Sequence, residues 1–331
     1  MAYRSTHRML LPWLICLALC LQLGCDQQAG QSGDASAFND GDNGPTIVSL
    51  TPAITQMLLD MGKRDQIVGI AEYDNPDLEL PVCGSYNNPV LARIIELGPD
   101  LVLTQSSTGR LEDAHEGLRD YAEKDVFELK VIPYSRSLAD VHRALIDPAS
   151  GLGVAVDDLE AAQRARDLMQ LRIERISAIV TGAERPRVLM LINPTTLGAI
   201  GTGVTHDELL RLAGGANALA HVNTGYLTLD RAMLQQTIRP EVVLILEPRG
   251  SELTDSDPRL RPFEGLAIPV NTSRRFAVIR HPQAMLPSTA LPEVMKEIAL
   301  ALHPDKAEAI REAYDTAGLV VKQAAEDGDG K

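Results

Sequence analysis

Aromatic residues are scarce: they make up 4% of 331 residues, with one Trp and four Phe. The interior must therefore be aliphatic, and a ring in a loop calls for a reason. Positive charge is also short, with 31 Lys+Arg against 45 Asp+Glu and a formal net charge of −14. That balance excludes a nucleic-acid partner, because nothing here displaces counterions from a phosphate backbone. No enzyme signature is complete. Gly198–Gly203 invites a dinucleotide reading, but the third glycine after Gly201 and Gly203 would fall on His206. A phosphate-loop lysine motif and a Gly-x-Ser-x-Gly nucleophile turn are missing too. His115, His142, His206, His221, His281 and His303 are scattered, without a close pair at metal-ligand spacing. What remains is a globular mixture, 45% hydrophobic and 23% charged, too long for one core and expected to form two lobes.

The only long apolar run is N-terminal. Arg4 and Arg8 precede Met9–Leu23, which is shorter than the about 20 residues of a membrane span but fits a signal-peptide core. It ends in Leu21-Gln22-Leu23-Gly24-Cys25, which resembles the bacterial lipoprotein box, with Cys25 as the lipidated residue. Residues 26–45 are polar and rich in Gly, Ser and Asp, so they read as a flexible tether. Asp26 resembles an inner-membrane retention signal. The expectation is export, with anchoring at the periplasmic face of the cell membrane. Cys16 and Cys20 leave with residues 1–24, so Cys83 stays alone and no internal disulfide is expected.

Beyond the tether, strands alternate with helices. Thr46–Leu50, Gln66–Ala71, Leu101–Thr104 and Leu129–Pro133 read as strands; Ala53–Met61, Pro89–Leu97 and Leu111–Lys124 read as helices. Thr51-Pro52 supplies a cap and a proline at the first helical position. No Gly or Pro interrupts Asp157–Val180, where Leu159, Ala162, Ala165, Met169, Ile173, Ile176 and Val180 line one face of a helix about 36 Å long. The pattern then restarts with strands Val188–Ile192, Val242–Leu246 and Phe276–Ile279, and helices Glu208–Ala213 and Pro292–Leu302. Thr205–Glu208 has capping-box spacing. The expected organisation is an α/β fold of two Rossmann-like lobes (46–152 and 185–304) joined by one long rigid α-helix (153–184). A charged tail, helical and then frayed, follows (305–331), and the ligand cleft lies between the lobes.

Several phrases, in order, carry a resemblance. They are Ile47–Thr55, Ile67–Ile70 followed by Tyr73, Ile94–Leu103 with its Pro99-Asp100-Leu101-Val102, its echo Ile238–Leu244, and Asp207–Asn217. With the long middle helix they make the chain resemble the helical-backbone substrate-binding proteins of ABC importers for cobalamin, ferric siderophores and haem, from about Thr46 to Pro304. The resemblance implies a lipid-anchored, monomeric binding protein without enzymatic activity or cofactor. It would capture a corrinoid or related metal chelate and deliver it to an ABC permease and ATPase complex. A siderophore or haem carrier, or a tethered sensor or scavenger without a transporter, is the alternative. Tyr73 falls where cobalamin-binding members place a cleft tyrosine, and Tyr86 where they place a tryptophan. Asn87 and Asn88, Gly201, Thr202 and Gly203, Tyr226 in the loop Asn223–Leu227, and His281 and Met285 in Arg280–Pro287 complete the implied ligand-binding set. Haem-binding relatives ligate iron through a tyrosine before a proline; here Asn75 precedes Pro76, and an amide is a poor iron ligand. Arg274, Arg275 and Arg280 read as surface charge. The family's two docking glutamates fall on Ala92 and near Arg231–Met233, with Glu96 one turn from the first.

Overall fold

Apolar runs such as Leu101-Val102-Leu103 can be hidden only if both faces of their sheet are covered, which is what a parallel α/β layer provides. In the computed structural model, which describes residues 44–328, the first lobe runs β1 (Ile47–Ser49), α1 (Pro52–Asp60), β2 (Ile67–Gly69), α2 (Leu91–Leu97), β3 (Leu101–Ser106), α3 (Glu116–Ala122), β4 (Glu128–Pro133) and α4 (Leu138–Ile146). The sheet order is β2-β1-β3-β4, with every pairing parallel. All six residues of central β3 are buried. Parallel strands deliver their C-terminal ends to one edge, so the loops after β2, β3 and β4 gather there.

α5 (Leu159–Val180) then leaves the lobe. Asp158 caps it by accepting the Ala161 N–H at 2.9 Å, and Lys63 holds the same carboxylate at 2.5 Å. Its buried stripe runs from Ala161 to Val180 through Met169, Ile173 and Ile176; Leu159, expected in the stripe, is exposed at the first turn. The second lobe runs β5 (Arg187–Asn193), β6 (Gly198–Ile200), α6 (Thr205–Leu212), β7 (Ala216–Asn217), β8 (Tyr226–Thr228), β9 (Val242–Leu246), β10 (Phe276–Ile279), α7 (Leu291–Leu302) and α8 (Ala307–Gly328). Its sheet order is β8-β6-β5-β9-β10, with β7 beside β5. β5, β9 and β10 are parallel, whereas β6 runs antiparallel to both its neighbours, β5 and β8, so the second lobe is not a copy of the first.

Two further sequence expectations change. Leu111–Lys124 is not one helix: a 3₁₀ turn at Leu111–Asp113 stops, and α3 restarts at Glu116 with His115 Nδ1 accepting the Gly117 N–H at 3.2 Å. Thr205 does not cap α6, because the chain is already helical there; the cap position is Val204, and Glu208 reaches outward instead. Its Oε2 accepts the N–H of Leu138 at 3.0 Å, so an acid of the second lobe caps α4 of the first. The charged tail is helical, as expected, and it is docked. Ile310, Tyr314 and Ala317 of α8 are buried at one-turn spacing, a stripe that the surrounding charges conceal in the sequence.

One apolar interior runs from Ile47 and Leu103 through Met169 and Ile173 of α5 to Val188, Leu244 and Tyr314. Separate clusters fill the outer face of each sheet. Polar ties join the same elements. Arg172 on α5 meets Glu293 on α7 at 3.1 Å and stacks 4.2 Å from the Tyr314 ring, whose hydroxyl donates to Glu293. Lys296 covers the ring's other approach at 3.8 Å. Thr289, before α7, donates to Asp60 at the end of α1. No helix among the described residues is long and apolar enough to cross a membrane. The apolar N-terminal segment, the tether and Cys25 lie outside the described residues.

Candidate functional site

The loop after β2 places Tyr73 in water. The residue is 87% exposed, on a backbone at φ 66°, a left-handed conformation that costs a non-glycine residue about 1–2 kcal/mol. The next residue holds it there. Asp74 is buried, its Oδ2 accepts the Thr55 hydroxyl at 2.6 Å, and its Oδ1 accepts the Asn75 N–H at 3.0 Å. Burial pushes the Asp74 carboxyl above its ordinary range, while these hydrogen bonds oppose the shift. A strained, displayed ring braced by a buried acid is the kind of outlier from which a functional role is inferred.

Beside it, Gly84–Ser85 and Asn88–Pro89 form a two-stranded ribbon with Tyr86 and Asn87 at its turn. Tyr86 packs edge-on to Tyr134 with centroids 5.6 Å apart and ring planes at 76°. Burial, then the adjacent Tyr86, raises the Tyr134 phenol, so it stays a neutral donor. The two rings, Asn87, Ser106, Ser107 and His115 line a polar cavity of about 340 Å³ on the first lobe. Asn88 is exposed on the ribbon itself.

A second cavity, of about 370 Å³, lies between the lobes. The first lobe supplies Ser135 and Arg136, directly after β4; the second supplies Gly203–His206, Gly225, Tyr226 and Pro287. Tyr226 is 54% exposed. His206 is buried, and burial lowers its pKa, outweighing the opposing contact of its Nε2 with the Ala284 carbonyl at 2.7 Å. The expected glycine loop divides. Gly201 N–H donates to the Gly225 carbonyl at 2.8 Å, and Thr202 spends its N–H on the Thr224 carbonyl and its hydroxyl on the Val222 carbonyl. At Gly201 any Cβ would stand 2.0 Å from the Thr224 oxygen, so glycine is required by that approach. Gly203 alone of the three borders the cavity. His281 accepts the Gln283 N–H through Nδ1 at 3.1 Å, and Met285 packs against the core. Neither of these two borders the two cavities.

The structure thus brings Tyr86 and Asn87 together in one cavity, and Gly203 and Tyr226 in the other. Reading from sequence missed Tyr134, Ser135 and Arg136. Their signal was position: they directly follow a strand of a parallel sheet, at the edge where such folds place ligands. Among the described residues no group of three His, Cys, Asp or Glu is arranged to hold a metal ion.

The family model described as periplasmic binding protein matches residues 47–261. Solved structures share the fold. A periplasmic haem-binding protein from Roseiflexus sp. RS-1 aligns with TM-score 0.61 and 19% identity, covering 81% of this chain and 99% of its own. The periplasmic vitamin B12 binding protein of Vibrio cholerae aligns with TM-score 0.59 and 14% identity, covering 82% and 98%. A Helicobacter pylori protein solved with Ni(II) bound aligns with TM-score 0.59 and 17% identity, covering 83% and 90%. No curated protein sequence matches the chain.

Proposed function

We propose that this chain, which belongs to the periplasmic binding protein family, captures a corrinoid or related metal chelate between its lobes for an ABC importer. The observation that carries the reading is the strained, displayed Tyr73 at the same strand edge as Tyr86 and Tyr134, in a chain with few rings to place. A large flat ligand needs flat apolar faces with a polar handle, which tyrosine offers. Fold relatives whose names state haem or vitamin B12 as ligand support the same class. The one-piece core through α5 fits capture with modest lobe closure. Cys25 would carry the lipid that holds the protein at the membrane. Delivery would pass through Glu96 on exposed α2, since the position of the expected docking glutamate is Ala92; Glu96 stands 3.3 Å from Arg93.

The test is a thermal-shift and titration panel with cobalamin, cobinamide, haemin and ferric siderophores. Stabilisation by at least one is expected; stabilisation by none sinks the ligand class. With the chelate that binds, Tyr73→Ala is expected to weaken affinity by about 1–3 kcal/mol, and unchanged affinity removes Tyr73 from the site.

A further inference from the structure

The cavity between the lobes has an uneven chemistry. Arg136 is the one side chain on its wall that carries a full charge, since no Asp, Glu or Lys lines it and His206 is buried neutral. The guanidinium is exposed, and among the described residues no carboxylate pairs with it. The acid nearest in sequence is already used: Asp140 accepts the backbone N–H of Arg136 at 2.9 Å and pairs with Arg143.

A second, independent feature points the same way. Ser135, beside Arg136 on that wall, is 8% exposed, and its Oγ has no hydrogen-bond partner. A buried hydroxyl left unmatched costs free energy that a ligand oxygen would return. Opposite stands the first turn of α6, which has no capping side chain at Val204. Of its two acids, Glu208 is engaged with α4, and Asp207 accepts the Asn217 amide at 2.8 Å and the Gly203 N–H at 3.4 Å. The Asp207 and Glu208 amides already reach the Val204 carbonyl, which leaves those of Thr205 and His206 to favour negative charge.

We propose that this cavity is a subsite for an oxyanion carried on the edge of the ligand, a carboxylate or a phosphate. Arg136 pairs with it, the Ser135 hydroxyl donates to it, and Arg136 sets a preference for acidic over esterified or amidated chelates. This rests on the chelate-capture reading above and narrows it: the ligand is an acid. Arg136 binds by charge and fork geometry, so lysine keeps the charge and loses the two-point contact.

The experiment titrates the full-length protein with two matched pairs: haemin against haemin dimethyl ester, and cobyrinic acid against cobinamide. The unaltered protein is expected to bind the acid member of a pair at least tenfold more tightly. Arg136→Ala should erase most of that ratio, about ten- to a hundredfold, while leaving the ester or amide member within twofold. Arg136→Lys should restore part of it, and Ser135→Ala should lower the ratio without removing it. Thermal melts of each variant confirm the fold, and Ser135→Ala keeps the test open if an arginine variant misfolds. Equal affinity for acid and ester in the unaltered protein overturns the subsite but leaves chelate capture standing. So does an Arg136→Ala variant that loses both members alike, or one that keeps the full preference. Binding of neither pair, or of any other chelate, overturns both.

Discussion

At Tyr73 two costs are visible. The side chain gives up burial, and the backbone sits in a region that suits glycine. Since the ring packs on little, removing it should cost the fold little, and the backbone should decide. Tyr73→Gly is expected to be about 1 kcal/mol more stable than Tyr73→Ala, read as the difference in urea midpoints. Equal midpoints would mean that the loop relaxes in both. Asp74→Ala should be worse than either, by about 1–3 kcal/mol, because it removes the acceptor of the Asn75 N–H and the shortest bond of the Thr55 hydroxyl, which keeps only Ser49 and the Thr51 carbonyl. The Tyr73 position was legible from its place after an apolar strand. Ser135 and Arg136 were not, because their meaning comes from what stands across the cleft, and no local pattern records a neighbour about 70 residues downstream.

At the level of elements, α5 was readable almost to its ends, since its face repeats with helical spacing and neither Gly nor Pro intrudes. The strands were readable for the same reason: runs of branched and aliphatic residues bounded by turns. Two errors share one physical cause. The start of α6 was misplaced, and the packed face of α8, expected as a helix, was overlooked, because partners from distant sequence overrode the local signal. Glu208 has the spacing of its own helix's capping box but serves α4. Glu208→Ala should therefore destabilise by about 1 kcal/mol, the cost of a lost cap, and the loss should appear as faster amide exchange in α4 rather than in α6. If exchange rises in α6 alone, the cap is local after all. Tyr314→Ala on α8, stripping the ring from between Arg172 and Lys296, should cost about 3–5 kcal/mol.

Across the molecule, the tie beneath α8 has a pH signature. Burial, against the pull of Arg172 and Lys296 and aided by Asp60, pushes Glu293 up to about 7 from 4.5. The folded state therefore holds a proton that the unfolded chain releases near 4.5. The stabilising contribution is full below that value and is lost as pH rises to about 7. Comparing melts at pH 5 and pH 7.5, the unaltered protein should lose about 1–3 kcal/mol more than Glu293→Gln does. Parallel losses would show that the carboxyl is already ionised at pH 5. Because one apolar interior threads Ile47, Met169 and Leu244 without a break, the two halves cannot come apart in stages. Calorimetry should record a single endotherm, and a protease that nicks either half should forfeit the whole molecule, so a damaged copy is cleared rather than left half-working.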